Sequence, residues 1–259
     1  MTVDWMDVSE LSFNSLLLLE RVQLSWFPGW VPEEELAIAL RANPTVEWYL
    51  RHKCPEISEW LHVVMKRPAG ENRSAAREAE EAVMRKINDL LVYVVDPTIY
   101  ERQPSLGWDS RELTGLVDFT GKIVIDVGSG TGRLALAVAR EASVVYAVEP
   151  VGNLRAFIME RARSLEGAEV YAVDGLITAL PFHDAFADVT MAGHVFGEVP
   201  REEIAEAFRV TRTGGMVIAC PGNNDDDNET HAAFLQHGFE WSRFEETGDG
   251  MKRKYWRVR

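Results

Sequence analysis

Ile123–Gly132 reads IVIDVGSGTG. Ile123, Val124 and Ile125 form an apolar run that ends in an acid, Asp126, and after Val127 glycines stand at alternate positions, Gly128, Gly130 and Gly132. Arg133–Arg140 (RLALAVAR) is rich in Ala and Leu and favours a helix. The order is strand, tight turn, helix. A β-branched run of this kind suits a strand buried on both faces. The glycines let the backbone turn sharply and approach a ligand with no Cβ in the way. The following helix points its unpaired N–H groups at that ligand. The bland alternative is a glycine-rich turn that holds nothing.

Two cofactor classes use such a turn. A dinucleotide fold carries G-x-G-x-x-G. Here the spacing is G-x-G-x-G, and Arg133 stands where the third glycine belongs. The carboxylate of Asp126 would repel a pyrophosphate but could accept hydrogen bonds from a cationic or amino-bearing ligand. Asp126 with Gly128, Ser129, Gly130, Thr131 and Gly132 resembles motif I of the class I S-adenosylmethionine-dependent methyltransferases. That resemblance implies S-adenosylmethionine as cofactor, S-adenosylhomocysteine as product, and the motif around the methionine part.

The pattern continues as alternating strands and helices, which implies a mostly parallel sheet with helices on both faces. Ser143–Val148 is a strand that ends in Glu149-Pro150. An acid at the carboxyl end of the strand beside the glycine turn can accept both ribose hydroxyls of an adenosine. This feature fits either cofactor class. Glu169–Val173 is the next strand, followed by Asp174, Gly175 and Leu176. The resemblance places Asp174 on the adenine amino group, with Gly175 and Leu176 beside the ring. Ala179–Val189 (ALPFHDAFADV) resembles the L-P-F-x-D stretch of the small-molecule, methyltransferase type 11-like group, one residue shorter.

Asp188–Ala192 is a fourth strand, and its carboxyl end carries His194. A neutral imidazole there is a candidate general base. The alternative is that His194 only lines the pocket or touches the cofactor through its backbone. No N-P-P-Y or D-P-P-Y tetrapeptide follows the strand, which argues against the amide and amine methylases that use one. Pro200–Val210 reads as an amphipathic helix and Met216–Ala219 as a fifth strand. Pro221–Asn228 (PGNNDDDN) reads as a solvated acidic loop rather than a metal site. Phe239–Glu245 and Met251–Val258 read as a terminal antiparallel hairpin, which separates the methyltransferase fold from the dinucleotide fold.

Ahead of this lies a different kind of sequence. Residues 1–98 read as helices: Val8–Leu24, Glu33–Arg41, Pro44–His52, Pro55–Met65 and a long one over Glu71–Val95, with a break at Pro68-Ala69-Gly70. Trp5, Trp26, Trp30, Trp48 and Trp60 lie here, out of eight tryptophans in the chain. They fit a small core packed with indoles or a homodimer face, or else an aromatic lid. Tyr100–Gly107 reads as a connector and Trp108–Val117 as a helix. Tyr100 and Trp108 are candidate substrate-pocket residues.

Composition sets the outer limits. The 259 residues are 46% hydrophobic and 26% charged, enough to bury a sizeable core. A net charge of −14 argues against a nucleic-acid partner, whose phosphates it would repel. The basic run Lys252–Lys254 reads as the solvated part of an edge strand. Cys54 and Cys220 are far apart and in no metal-ligand spacing, so no metal is expected and a reducing cytoplasm is the simplest setting. Leu16–Leu19 is too short for a signal or a membrane span.

The expected architecture is α/β: a Rossmann-like, doubly wound, seven-stranded, mostly parallel sheet with an antiparallel C-terminal hairpin. Residues 1–98 form a helical N-terminal extension and 99–259 the cofactor domain. The expected activity is transfer of a methyl group from S-adenosylmethionine to a small-molecule acceptor by direct displacement. Two alternatives stay open, a non-catalytic S-adenosylmethionine-binding or interaction protein and a nicotinamide-dependent oxidoreductase.

Overall fold

The computed structural model of the protein describes residues 5–67, 73–102 and 108–259. The chain forms two compact units, Met1–Tyr100 and Glu101–Arg259.

The first unit is helical. It contains α1 (Arg21–Ser25), α2 (Glu33–Ala42), α3 (Pro44–Lys53), α4 (Ser58–Val64), α5 (Arg73–Lys86), α6 (Asn88–Val95) and α7 (Pro97–Glu101), the last running into the first residue of the second unit. Pro44 opens α3 at a position that needs no N–H, and Glu33, Glu34 and Glu35 occupy the first turn of α2, where the helix dipole favours acids.

Two expected helices break up. Val8–Leu24 is two 3₁₀ turns, Val8–Glu10 and Phe13–Leu18, followed by α1. Leu11 and Leu19 are extended, with ψ of 142° and 141°. The side chains of Asp7, Ser12 and Gln23 each take a local backbone N–H at the start of a short element, which competes with a continuous helix. The long helix expected to Val95 is interrupted at Ile87, at φ −103° and ψ 22°. There the Asn88 amide takes the backbone of Met6, accepting from its N–H at 3.2 Å and donating to its carbonyl at 2.9 Å. The break expected at 68–70 lies outside the described residues, as do residues 103–107 of the connector.

The tryptophans are not the core of this unit. Leucines and phenylalanines fill it, with Phe13, Leu16, Leu19, Leu24, Phe27, Leu36, Leu40, Leu50 and Leu61 at most 2% exposed. Trp26 and Trp48 are 42% and 59% exposed, and Trp5, Trp30 and Trp60 are half-buried. A large indole with one polar N–H fits the rim better, as Trp60 shows by donating to Glu33 at 2.9 Å.

The second unit holds a seven-stranded sheet: β1 (Ile123–Val127), β2 (Val144–Val148), β3 (Val170–Val173), β4 (Ala187–Ala192), β5 (Thr211–Asn224), β6 (Glu240–Glu246) and β7 (Gly250–Val258). Their order is β3-β2-β1-β4-β5-β7-β6. β1 to β5 pair in parallel, and β7 pairs antiparallel with both β5 and β6. The helices are α8 (Arg111–Thr114), α9 (Arg133–Val138), α10 (Gly152–Ala162), α11 (Pro200–Val210) and α12 (Glu229–Gln236).

β1 is buried on both faces, as its β-branched run predicts. Val124 packs with Leu113, Phe119, Val138 and Ile158, while Ile125 and Val127 pack on the other side with Val148, Leu180 and Val210. The period of two puts Asp126 on the Val124 side, the side of α9. Strand order reverses between β1 and β4, so the carboxyl ends of β1, β2 and β4 converge at a switch point, the place where open α/β sheets bind ligands.

Three expectations for this unit are corrected. The helix expected over Trp108–Val117 is the single turn of α8. β5 runs well beyond Met216–Ala219, because a bulge between Ala219 and Asn223 lets it continue beside β7, pairing Asn224 with Lys252. The basic run at 252–254 is not a solvated edge. β7 lies between two strands, and Lys252 and Arg253 are each 3% exposed. Their charges are met by Asp249, Asp225 and Asp227, and that of Lys254 by Glu112 at 2.7 Å. The acidic stretch 225–227 is therefore partner to these cations rather than free loop.

Candidate functional site

The glycine turn follows β1 with Gly128, Gly130 and Gly132 all at positive φ, 62°, 54° and 83°. At Gly128 the requirement is also steric, since a Cβ there would lie 2.4 Å from Val195 Cγ2. That distance shows that the segment after β4, carrying His194 and Val195, presses directly on the turn. At Gly130 nothing lies within 4 Å of the Cβ position, so this part of the loop faces open space.

Asp126 is 1% exposed. Its Oδ2 accepts from the Ala135 N–H of α9 at 3.0 Å, and its Oδ1 has no hydrogen-bond partner. Burial pushes the carboxyl up to about 7. A buried acceptor left open costs free energy, so this oxygen marks a place for a donor. Ser129 is buried and donates to the Asp126 carbonyl at 2.8 Å.

Glu149 ends β2 and is 5% exposed. Its Oε2 accepts from Gly130 N–H and its Oε1 from Val151 N–H, both at 2.9 Å. The carboxylate thus braces the glycine turn from the neighbouring strand, and each oxygen keeps a second lone pair. Burial raises this carboxyl to about 7 as well. Pro150 follows, half-buried, and turns the chain into α10.

Asp174 follows β3 with its side chain 73% exposed, 3.2 Å from Arg155 Nη1. Arg155 also donates to the Glu149 carbonyl at 2.6 Å and so ties the ends of β2 and β3 together. Gly175 has no room for a side chain, since a Cβ would lie 2.9 Å from both Pro181 Cδ and Val148 Cγ1. Leu176 beside it is 43% exposed.

Asp126, Gly128, Ser129, Gly130, Thr131, Gly132, Glu149, Pro150 and His194 therefore lie at one edge of the sheet, with Asp174, Gly175 and Leu176 one strand further out. Tyr100 belongs to the helical unit and Trp108 to the core of the second. Tyr100 packs on Trp5 and Tyr93 in the helical unit. Trp108 is 6% exposed in the sheet core, against Phe244 and under the Arg133 guanidinium.

The structure adds residues that had no sequence signal. Thr131 Oγ1 donates to the carboxylate of Glu101, which also pairs with Arg161 at 3.0 Å, and Arg161 donates to the Thr131 carbonyl at 2.8 Å. His194 Nε2 lies 3.1 Å from Oε1 of Glu246, a fully buried acid at the end of β6. Glu101 ends α7 and Glu246 sits beside a hairpin turn. Their sequence neighbours look like ordinary solvated acids, and only the tertiary fold brings either to the site.

Residues 125–219 match the model of the methyltransferase domain family. This stretch, from β1 to β5, is similar to a methyltransferase domain, and the seven-stranded sheet with its antiparallel end is the class I methyltransferase fold. An uncharacterized methyltransferase of Mycobacterium sp. (strain JLS) is 36% identical over 100 residues, 38% of each chain. The demethylmenaquinone methyltransferase of Thermobifida fusca is 32% identical over 121 residues, 44% of this chain and 49% of that one. The chain thus spans half or less of the length of these two relatives. A chain of the solved complex between the Haloferax volcanii Trm112 methyltransferase activator and a methyltransferase shares the fold, with a TM-score of 0.50 and 15% identity. It covers 63% of this chain and 92% of that one. Among the described residues no cluster of His, Cys, Asp or Glu could hold a metal ion, and no helix is long and apolar enough to cross a membrane.

Proposed function

We propose that the methyltransferase domain binds S-adenosylmethionine and transfers its methyl group to a small-molecule acceptor. The observation that carries this reading is the open, fully buried Oδ1 of Asp126 beside a glycine turn with free space at Gly130. A cationic, amino-bearing ligand satisfies that oxygen, whereas a pyrophosphate would meet a buried acid. Asp126 and the turn from Gly128 to Gly132 would hold the methionine part. Glu149 would accept from the ribose hydroxyls through its remaining lone pairs, and Asp174 with Gly175 and Leu176 would take the adenine.

When bound, S-adenosylmethionine supplies an electrophilic methyl carbon whose leaving group is a neutral thioether. The chain's own work is then alignment of donor and acceptor and exclusion of water. Arg133 in place of the third dinucleotide glycine, together with Asp126 and the β6–β7 hairpin, counts against the nicotinamide alternative. The net charge of −14 supports a small acceptor over a nucleic acid.

Calorimetric titration with S-adenosylmethionine, S-adenosylhomocysteine and NAD tests the reading. Binding of both sulfur compounds, lost in Asp126→Ala and weakened in Glu149→Ala, is expected. Binding of NAD alone, or of none of the three, refutes it.

A further inference from the structure

The cofactor reading leaves two buried carboxylates of the second unit unused: Glu203, which accepts from the backbone N–H groups of Gly197, Glu198 and Val199, and Glu246, which has no such backbone partners among the described residues. Its side chain is 0% exposed, and the only hydrogen bond to it among the described residues comes from His194 Nε2. Its Oε2 has no hydrogen-bond partner. The nearest cation, Lys252 Nζ, is 3.6 Å from Oε2 and directs its own bonds to Asn224 at 2.6 Å and Asp249 at 2.7 Å. A buried carboxylate is costly to keep unless a partner compensates it; here Lys252 supplies the nearby positive charge and the imidazole supplies the hydrogen bond.

The imidazole is held as deliberately. His194 is one of two described non-glycine residues at positive φ, 57°, and its backbone N–H donates to the Pro221 carbonyl at 2.8 Å. Such backbone strain persists where the surroundings fix it, and it gathers at functional sites. Val195, next in the chain, presses on Gly128 of the cofactor turn. The His194 ring itself is 44% exposed, open to an incoming molecule.

We infer that Glu246 is a positioning residue that fixes His194 as the Nε2–H tautomer, leaving Nδ1 as a general base, and that the acceptor is therefore a hydroxyl compound. This rests on the reading under Proposed function. A carboxylate accepts only from an N–H, so the pairing with Glu246 puts the ring proton on Nε2. Nδ1 has no hydrogen-bond partner among the described residues. A proton acceptor is needed at this point only if the nucleophile holds its proton until attack. A neutral amine attacks first and loses its proton afterwards, and an ionised thiol has none to lose, but a hydroxyl must be relieved of it. The acceptor oxygen forms its bond to the methyl carbon as the carbon–sulfur bond breaks toward sulfur, and the hydroxyl proton passes to Nδ1. The imidazolium that results is compensated by Glu246, and water takes the proton away.

The test has two arms. In ¹⁵N spectra of the ligand-free protein, His194 in its neutral form is expected as a single Nε2–H tautomer, and Glu246→Gln, which keeps the volume, is expected to populate both tautomers. In an assay with methyl-labelled S-adenosylmethionine and a panel of phenols, catechols and hydroxy acids beside amines and thiols, transfer to a hydroxyl is expected. His194→Ala should lose about 10²-fold or more in kcat and regain part of it with added imidazole. Glu246→Gln should lose about tenfold in kcat with KM unchanged, the mark of a group that acts on the transition state. A Nδ1–H tautomer in the native protein, transfer confined to amines or thiols, no transfer to any hydroxyl, or an unimpaired His194→Ala each overturns the inference. Failure of the underlying reading shows separately, as loss of S-adenosylmethionine binding in the calorimeter, while the tautomer arm needs no ligand.

Discussion

The parallel and antiparallel halves of the sheet treat their carboxylates in opposite ways. At the ends of β1 and β2, Asp126 and Glu149 are buried, no ion pair reaches either carboxylate among the described residues, and burial raises both to about 7. Around β5 to β7, Asp225 sits 2.7 Å from both Arg243 and Arg253, and Asp227 lies 2.8 Å from Arg253. Hydrogen bonds from those guanidiniums lower both acids below the ordinary carboxylate range. Acids whose charge is already matched stabilise the folded chain. Acids kept unmatched are held at a cost in stability, and a bound cation relieves that cost. Glu246 departs from its half: it is buried, and its hydrogen bond goes to the imidazole of His194 rather than to an arginine.

The largest effect expected from this contrast is on binding. Asp126→Ala removes the open buried acceptor beside the glycine turn and should weaken S-adenosylmethionine at least about 100-fold, or about 3 kcal/mol. Asp225→Ala should leave affinity unchanged within twofold. Calorimetry on both variants decides it, and equal losses would break the comparison.

The next effect is steric and lies in the glycine turn. Gly128→Ala places a Cβ 2.4 Å from Val195 Cγ2 at φ 62°, while Gly130→Ala at φ 54° meets nothing within 4 Å. Each carries the left-handed backbone cost of about 1–2 kcal/mol, and Gly128→Ala adds an overpacking cost of about 1–3 kcal/mol. Val195 is β-branched and cannot swing aside cheaply. Urea unfolding should therefore rank Gly128→Ala well below Gly130→Ala, with Val195→Ala restoring most of the difference in the double variant.

What could be read in advance follows from how local each signal is. β1, its glycine turn and Glu149 were legible because one short stretch carries strand, turn and helix start, and the strand-end acid follows from strand order. Pro200–Val210 was legible to the residue because Pro fixes its start and the amphipathic spacing carries it. The helical unit was less so. Side chains such as Ser12, Gln23 and Asn88 redirect backbone hydrogen bonds, which apolar spacing does not reveal. Lys252–Lys254 reads as surface in any sequence, since only the fold brings Asp225, Asp227, Asp249 and Glu112 to meet it. The His194–Glu246 pair spans two elements that no spacing rule connects.

The third effect is on stability against pH. Asp126 and Glu149 have folded values of about 7 against ordinary values of 3.8 and 4.5. A raised carboxyl contributes stability that is full below its unfolded value and is lost as pH rises through the folded one. The ligand-free protein should therefore lose on the order of 2 kcal/mol for each of the two groups between pH 5 and pH 7. Asp126→Asn should flatten that slope and melt higher than the native chain at pH 8, although it binds no cofactor. Asp225 and Asp227, with lowered values, act in the other direction: their stabilisation is present above the unfolded value and is lost as pH falls through the folded one. Denaturant titrations at pH 4, 5, 7 and 8 separate the two slopes, and a flat native profile from pH 5 to pH 7 would count against unmatched acids at β1 and β2.

The smallest effect sharpens the meaning of a matched charge. Asp227 is 83% exposed, while Arg253, its partner, is 4% exposed. Arg253 has other partners: Asp225 at 2.7 Å, the Asp226 carbonyl at 3.0 Å, and the face of Trp241 at 4.8 Å. Asp227→Asn therefore leaves no buried donor unpaired, and an exposed ion pair contributes little once salt screens it. No resolvable change in Tm is expected at physiological ionic strength. Asp225→Asn takes a charged partner from two arginines at once and should lower Tm visibly. If Asp227→Asn were as damaging as Asp225→Asn, pairing alone would not explain the quiet electrostatics of this half, and the network would have to act as one unit in which each member supports the rest.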